Sequence, residues 1–303
     1  MQKVASFWYT KPNNKKTLVG GGISQLEILC IKSWLDNRFE FNLYTYNLDD
    51  KIFNYFKNNF SNFKLQDANE IIKFEDMFSD DRGVGVAGFS DYFRFKMIYK
   101  TGITWVDLDM VCLNYFNIDS DYLFIKEKIK NGNEYYEQIT TSMMKFPAGS
   151  EFGEYLITES EKLISNRKVI PWGIIGPEFL NKACIEKDLE QYALGYLEAC
   201  QISYYEVEKF VLKNTNLDIS QKCLHLYNEM WRGIGINKNN IYNKNSIYEK
   251  LKNKYRVYEI LDDLNLKSTK NYLEILKILW KFSKIRVYVR NPKRILKTLT
   301  LRK

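Results

Sequence analysis

The stretch GITWVDLDMVCL at residues 102–113 constrains this chain more than any other. It is a largely apolar run carrying two carboxylates, Asp107 and Asp109. Trp105 and Val106 before the pair, and Met110, Val111, Cys112 and Leu113 after it, predict a single buried strand. In a strand, residues separated by one position project from the same face. Two carboxylates side by side at the end of a buried strand repel each other and are costly to desolvate. A divalent cation removes both costs, and Mg2+ or Mn2+ prefers carboxylate oxygen. The pattern is short, and a second copy stands at Asp119-Ser-Asp121. That copy has no apolar strand leading into it and is expected to be a solvated turn.

The segment GFSDYFRFKMIYKTG at 88–102 leads into the acidic strand. Ser90 is placed to cap a helix, and Asp91 and Arg94 then stand three apart on one helical face. Taken alone, such a pair is a surface ion pair of small energetic weight. The order Ser-Asp-x-x-Arg, apolar helix, Gly, then Asp-x-Asp is more specific. It resembles the DXD-containing nucleotide-sugar transferases of glycosyltransferase family 32, and more distantly the glucosyltransferase domains of large clostridial toxins. The resemblance runs over about residues 4–255 and is strongest over 89–113. One departure is that the usual Gly-Gly before the strand is Gly102-Ile103 here.

The resemblance implies an α/β fold of the GT-A-like, nucleotide-sugar-binding (Rossmann-like) kind, with a mixed sheet flanked by helices. It implies transfer of a hexose from a nucleotide diphosphate sugar, UDP-linked by preference, to a saccharide or lipid-linked saccharide. Retention at the anomeric carbon and a role in surface polysaccharide synthesis, capsule or lipooligosaccharide, go with it. Asp107 and Asp109 would hold Mn2+ or Mg2+. Arg94 would set positive charge near the diphosphate or sugar, and Asp91 would accept hydrogen bonds from donor-sugar hydroxyls. Trp8, which alone would read as a core aromatic, matches the family's base-stacking tryptophan. His225 is the only histidine, and a lone His on an apolar strand is usually a hydrogen-bonded core residue. The family ends its catalytic domain with a His-x-x-Asn and Trp segment, which His225, Asn228 and Trp231 match. His225 is therefore expected as a metal or diphosphate contact, with Asn228 and Trp231 beside the donor. Gly176-Pro177 also stands where the family has a Gly-Pro that helps wall the sugar pocket.

Along the chain, a strand at 4–9, a helix at 23–35 and a strand at 39–46 predict the start of a nucleotide-binding sheet. Gly20, Gly21 and Gly22 lack phosphate-loop spacing. A helix at 50–60, a glycine-containing loop at 80–88, a strand at 136–146 and a helix at 150–164 follow. Another helix opens after 172–178, and residues 237–245 are asparagine-rich. A helix at 272–285 carries Tyr272, Ile275, Leu276, Leu279 and Phe282 on one stripe.

Charge sharpens the division. Residues 281–303 hold nine Lys or Arg and no acid, so the remaining 36 basic residues face 37 acidic ones. The body thus carries a net charge of about −1 despite the +8 of the whole, which argues against a nucleic-acid-binding body. The expected organisation is a transferase domain over 1–260 and a basic amphipathic segment over 261–303, which suits an anionic membrane surface and equally an ordinary solvated helix or a partner-binding element. Cys30, Cys112, Cys184, Cys200 and Cys223 are scattered, which suits a reducing cytosol. Residues 1–10 carry no basic-then-apolar leader, and no apolar run reaches the ~20 residues of a membrane span. A cytoplasmic protein, peripheral on the inner face of the membrane, is the expectation. The rival readings are a nucleotide-sugar hydrolase or nucleotidyltransferase using the same carboxylates, and a non-catalytic carbohydrate-binding protein of the same fold.

Overall fold

The structure, a computed structural model, describes residues 1–9, 23–79, 86–165, 170–171, 173–213 and 215–269. The expected helix at 272–285 and the basic tail lie outside the described residues, as do Gly20 to Gly22. The chain divides into two compact units, one of residues 1–203 and 217–226, the other of 204–216 and 227–303.

The first unit is α/β, a mixed sheet flanked by helices. It opens with β1 (Lys3–Trp8), α1 (Gln25–Asp36), β2 (Glu40–Thr45), α2 (Lys51–Asn59) and β3 (Phe63–Asp67). The helix starts follow local chemistry. Ser24 caps α1 in a capping box with Glu27, and Asp50 accepts from the Ile52 and Phe53 amides at the head of α2. After these come α3 (Ala87–Thr101), β4 (Thr104–Val106), β5 (Met110–Cys112), β6 (Leu123–Asn131), β7 (Glu134–Lys145), α4 (Glu151–Ser165), α5 (Pro177–Glu186), β8 (Ala193–Leu194) and β9 (Cys223–His225). Among the described residues, seven strands form one sheet in the order β3-β2-β1-β4-β7-β6-β8. Strands β3, β2, β1 and β4 run parallel, and β7 is antiparallel to β4. The chain therefore steps outward from β1 to β3, then returns to the opposite side of β1 as β4. That reversal of direction is the switch point where open α/β sheets bind ligands, outside the carboxyl ends of the strands.

Two sequence expectations are corrected here. Ser90 is not a helix cap: α3 begins three residues earlier, capped by Val86 without a side-chain bond, and Ser90 lies in its first turns. Nor is 102–113 one strand. Gly102 ends α3 in the left-handed conformation, at φ +66°, a geometry that favours glycine. β4 then stops at Val106, and residues 107–110 turn, closed by Met110 N–H donating to the Asp107 carbonyl at 3.0 Å. The chain resumes as β5, which leaves the large sheet and pairs with β9.

The other edge of β5 is satisfied by α1. Trp34 Nε1 donates to the Met110 carbonyl at 2.8 Å, Cys112 N–H donates to Ser33 Oγ at 2.8 Å, and Asn37 Nδ2 donates to the Cys112 carbonyl at 3.0 Å. Buried backbone groups need partners, and here Ser33 and Trp34 of α1, with its C-cap residue Asn37, supply what a further strand would otherwise give.

The second unit contains α6 (Asn228–Ile234), α7 (Ile247–Lys254) and α8 (Val257–Asp263). Its core includes Phe210, Trp231 and Tyr248, with the Trp231 ring 6.0 Å from Phe210 and 4.9 Å from Tyr248. Inside it lies an ion pair of Lys252 and Glu249, 2.7 Å apart with side chains 0% and 3% exposed. Among the described residues, no helix is long and apolar enough to cross a membrane.

Candidate metal centre

The turn after β4 carries both carboxylates. Asp107 N–H donates to the Ser142 carbonyl of β7 at 2.8 Å, which pins the start of the turn to the large sheet. Leu226 N–H donates to the Asp109 carbonyl at 2.9 Å, which pins its end to the strand carrying His225. Within the small sheet Met110 faces His225 directly. The result is a cluster of Asp107, Asp109 and His225 whose ligand atoms all lie within 4.8 Å of one another. His225 Nε2 stands 3.3 Å from Asp109 Oδ1. Sequence reasoning brought the carboxylates together through strand periodicity, whereas a reverse turn does it.

Arg94 reaches this turn from α3. Its Nη1 lies 3.0 Å from Asp107 Oδ1, and its Nη2 lies 3.1 Å from Asp91 Oδ1. Trp105 Nε1 donates to the same Asp107 oxygen at 2.8 Å. Asp91 is buried, with Thr141 Oγ1 at 3.5 Å from its Oδ1. A Cβ built on Gly176 would stand 3.5 Å from Asp91 Oδ2, so α5 begins close against this carboxylate. Trp105, Thr141 and Ser142 are the neighbours that sequence reading missed. Their only sequence signal was place: one precedes the acidic pair by two residues, and the other two lie within the expected strand at 136–146.

The electrostatics follow from crowding. Burial raises the Asp107 pKa, and the Asp109 charge adds to it; Arg94, His225 and the Trp105 hydrogen bond pull the other way without cancelling it. Burial alone would depress the His225 pKa, but the Asp109 carboxylate beside it, with Cys200 contributing, lifts it well above the usual value. With His225 neutral, Asp91, Asp107, Asp109 and Arg94 sum to two negative charges in a nearly enclosed site. Two carboxylates and one imidazole form a donor set suited to a divalent cation. These residues fit a metal ion, and binding one would expel any proton held on the His225 nitrogen that ligates it.

The remaining expected site residues divide by unit. Trp8 ends β1, half-buried, at the carboxyl end of the parallel strands. Asn228 and Trp231 belong to the second unit, where Asn228 opens α6. Trp231 is fully buried against Phe210 and Tyr248, so its indole is a core aromatic there and has no exposed face to offer a donor. The second acidic pair, Asp119 and Asp121, is exposed in a bend, as a solvated turn should be.

No protein-family model and no curated protein matches the chain by sequence. Solved structures that it resembles include the PaToxG glycosyltransferase, at 10% identity over 62% of this chain and 70% of that one, with a TM-score of 0.45. Another is the apo form of the glycosyltransferase GlyE of Streptococcus pneumoniae TIGR4, at 13% identity over 87% of this chain and 63% of that one, with a TM-score of 0.42. A third is the UDP-bound glycosyltransferase domain of the YGT toxin, at 9% identity over 94% of each chain, with a TM-score of 0.43. All three are glycosyltransferases.

Proposed function

We propose that this chain is a metal-dependent glycosyltransferase of GT-A-like fold, moving a hexose from a nucleotide diphosphate sugar to a saccharide hydroxyl. The observation that carries this reading is the Asp107, Asp109 and His225 cluster, lying just beyond the carboxyl end of β4 at the sheet's switch point. Asp107, Asp109 and His225 would hold a Mn2+ or Mg2+ ion, which would supply positive charge beside the diphosphate and the departing nucleotide. The imidazole among the ligands favours Mn2+ of the two. Trp8, at the carboxyl end of β1, stacks on the nucleotide base in this reading, a role that rests on the family resemblance. Asp91, held by Arg94 beside Gly176, accepts hydrogen bonds from hydroxyls of the donor sugar. Asn228 is kept as a donor contact on the strength of the motif alone.

The family resemblance further supports a UDP-linked donor and retention at the anomeric carbon. It also supports a saccharide or lipid-linked acceptor in surface polysaccharide synthesis. Nine basic residues in 281–303 fit a membrane-surface location for such an acceptor.

The test is product analysis with a panel of nucleotide sugars, UDP-hexoses first, with oligosaccharide acceptors and Mn2+. A new glycoside plus nucleoside diphosphate, lost on adding chelator, is the expected outcome. Free sugar in place of glycoside would make the protein a hydrolase, a new nucleotide a nucleotidyltransferase, and sugar binding without turnover a lectin-like protein. Turnover that persists in chelator would remove the metal from the reading.

A further inference from the structure

We infer that Arg94 is a positioning residue: together with Trp105 it fixes Asp107 and Asp91, and it does not itself touch the donor. The family resemblance would have it facing the diphosphate or sugar. A guanidinium has five N–H donors in a rigid fork; here it makes three hydrogen bonds within the protein, and both Nη atoms also pair with carboxylates. Nε donates to the Ser90 carbonyl at 3.2 Å. Nη1 donates to the Thr141 carbonyl at 2.6 Å and faces Asp107 Oδ1 at 3.0 Å. Nη2 faces Asp91 Oδ1 at 3.1 Å and donates to Ser90 Oγ at 3.4 Å. The guanidinium carbon also lies 4.8 Å from the centre of the Trp105 ring, and the residue is 5% exposed. Its hydrogen bonds and both of its ion pairs are made within the protein, and little surface remains to meet a phosphate.

What this arrangement does is orient carboxylates. Asp107 Oδ1 receives both Arg94 Nη1 and Trp105 Nε1, the latter at 2.8 Å. Two donors on one oxygen set the rotation of the carboxylate and leave Oδ2 as the oxygen for a ligand. The same guanidinium holds Asp91 on α3, so a single buried cation fixes the relation between the metal-facing and sugar-facing carboxylates. The backbone bond to Thr141 ties that cation to β7. Groups that orient metal ligands from behind typically change metal affinity by about 10–100-fold when removed.

This inference rests on the metal reading above, and the test separates the two. The probe is Mn2+ alone, titrated without nucleotide and followed by electron paramagnetic resonance, on the full chain and on Arg94→Lys, Arg94→Gln and Trp105→Phe. Losing a positive charge beside a cation site should by itself tighten Mn2+ binding. Losing the orientation of Asp107 should weaken it. The expected result is weaker binding by about tenfold in both Arg94 variants and a smaller loss in Trp105→Phe, which keeps the aromatic face but not the Nε1 donor. In turnover, raising Mn2+ to saturation should then return the donor KM of Arg94→Lys to within about twofold of the wild type, since the donor contacts are intact. Tighter or unchanged Mn2+ binding in Arg94→Gln overturns the inference, as does a donor KM that stays high in Arg94→Lys at saturating Mn2+. Should both Arg94 variants fail to fold, Trp105→Phe decides by the same criterion. If Asp109→Asn weakens Mn2+ binding while the Arg94 and Trp105 variants do not, the metal site stands and the positioning role falls. If the wild type binds no Mn2+, both fall.

Discussion

His225 and Asp109 meet with Nε2 3.3 Å from Oδ1, on a histidine from one strand of the small sheet and an acid at the threshold of the other. In the metal-free protein this contact holds a proton on the imidazole more firmly than usual. A cation taking the same nitrogen must displace that proton, so Mn2+ affinity should rise with pH until the raised His225 pKa is passed. Calorimetry in two buffers of different ionisation enthalpy should show proton release on binding at neutral pH. His225→Gln should abolish the release and weaken Mn2+ binding. Equal proton release in that variant would move the displaced proton to another group.

Asp107→Asn separates charge from architecture. The replacement keeps an oxygen for Arg94 and Trp105 to donate to, and Asp107 N–H still reaches the Ser142 carbonyl. The melting temperature should therefore change little, while donor turnover falls by several kcal/mol of transition-state stabilisation, ~3 kcal/mol or more. A variant that melts far below the wild type would mean that the Arg94–Asp107 charge pair supports the fold as well as the site. Circular dichroism melts beside the donor assay distinguish these.

The buried pair in the second unit gives a pH signature. Burial lowers the Lys252 pKa to about 8 from its ordinary 10.5, although Glu249 opposes the shift. Between those values the unfolded chain holds a proton that the folded chain has released, so raising the pH across that interval favours the folded state. Below about 8 both states are protonated, and the contribution is constant at its least favourable level. The full gain is about 3 kcal/mol. Above pH ~10 Tyr46, Tyr92 and Tyr258, whose pKa values burial raises, reverse the trend, because there these three ionise in the unfolded chain but not in the folded one. Urea melts at pH 7.5 and 9.5 should show higher stability at the upper value. Lys252→Met should flatten that rise; a rise that survives it would come from another group.

The sequence carried the order of elements well because local chemistry decides it: Ser24 and Asp50 cap their helices, Gly102 ends α3, and apolar runs mark β1, β2 and β7. It also brought forward Asp107, Asp109 and His225, though the two acids through the wrong local geometry. Periodicity cannot distinguish a continuous strand from two strands flanking a four-residue turn, since Trp105, Val106, Met110 and Val111 are buried in either case. The internal engagement of Arg94 was not legible either. It depends on Ser90 lying inside α3 and on the Thr141 carbonyl of β7, contacts that no residue spacing encodes. Trp231 matched a motif and proved to be core, a result of its packing between Phe210 and Tyr248.

The dependence of β5 on α1 gives the last expected outcome. β5 pairs on one side with β9, and on the other its backbone groups rely on Ser33, Trp34 and Asn37. Trp34 is fully buried, and its Nε1 donates to Met110, the residue after Asp109 and opposite His225. Trp34→Phe keeps most of the apolar bulk but leaves the buried Met110 carbonyl without that donor. An unsatisfied buried acceptor costs about 1–3 kcal/mol, so the variant should melt lower by that amount. Because the freed carbonyl belongs to the strand that holds Asp109 in line with His225, Mn2+ affinity should fall as well. The comparison that isolates this effect is Ile28→Val, a small deletion within the same helix, at a buried residue that makes no side-chain hydrogen bond to β5. It should cost about 0.5–1.5 kcal/mol of stability and leave Mn2+ binding where it was. If the two variants lower Mn2+ affinity alike, the loss reflects general loosening of α1, and the Trp34 hydrogen bond has no special hold on the site.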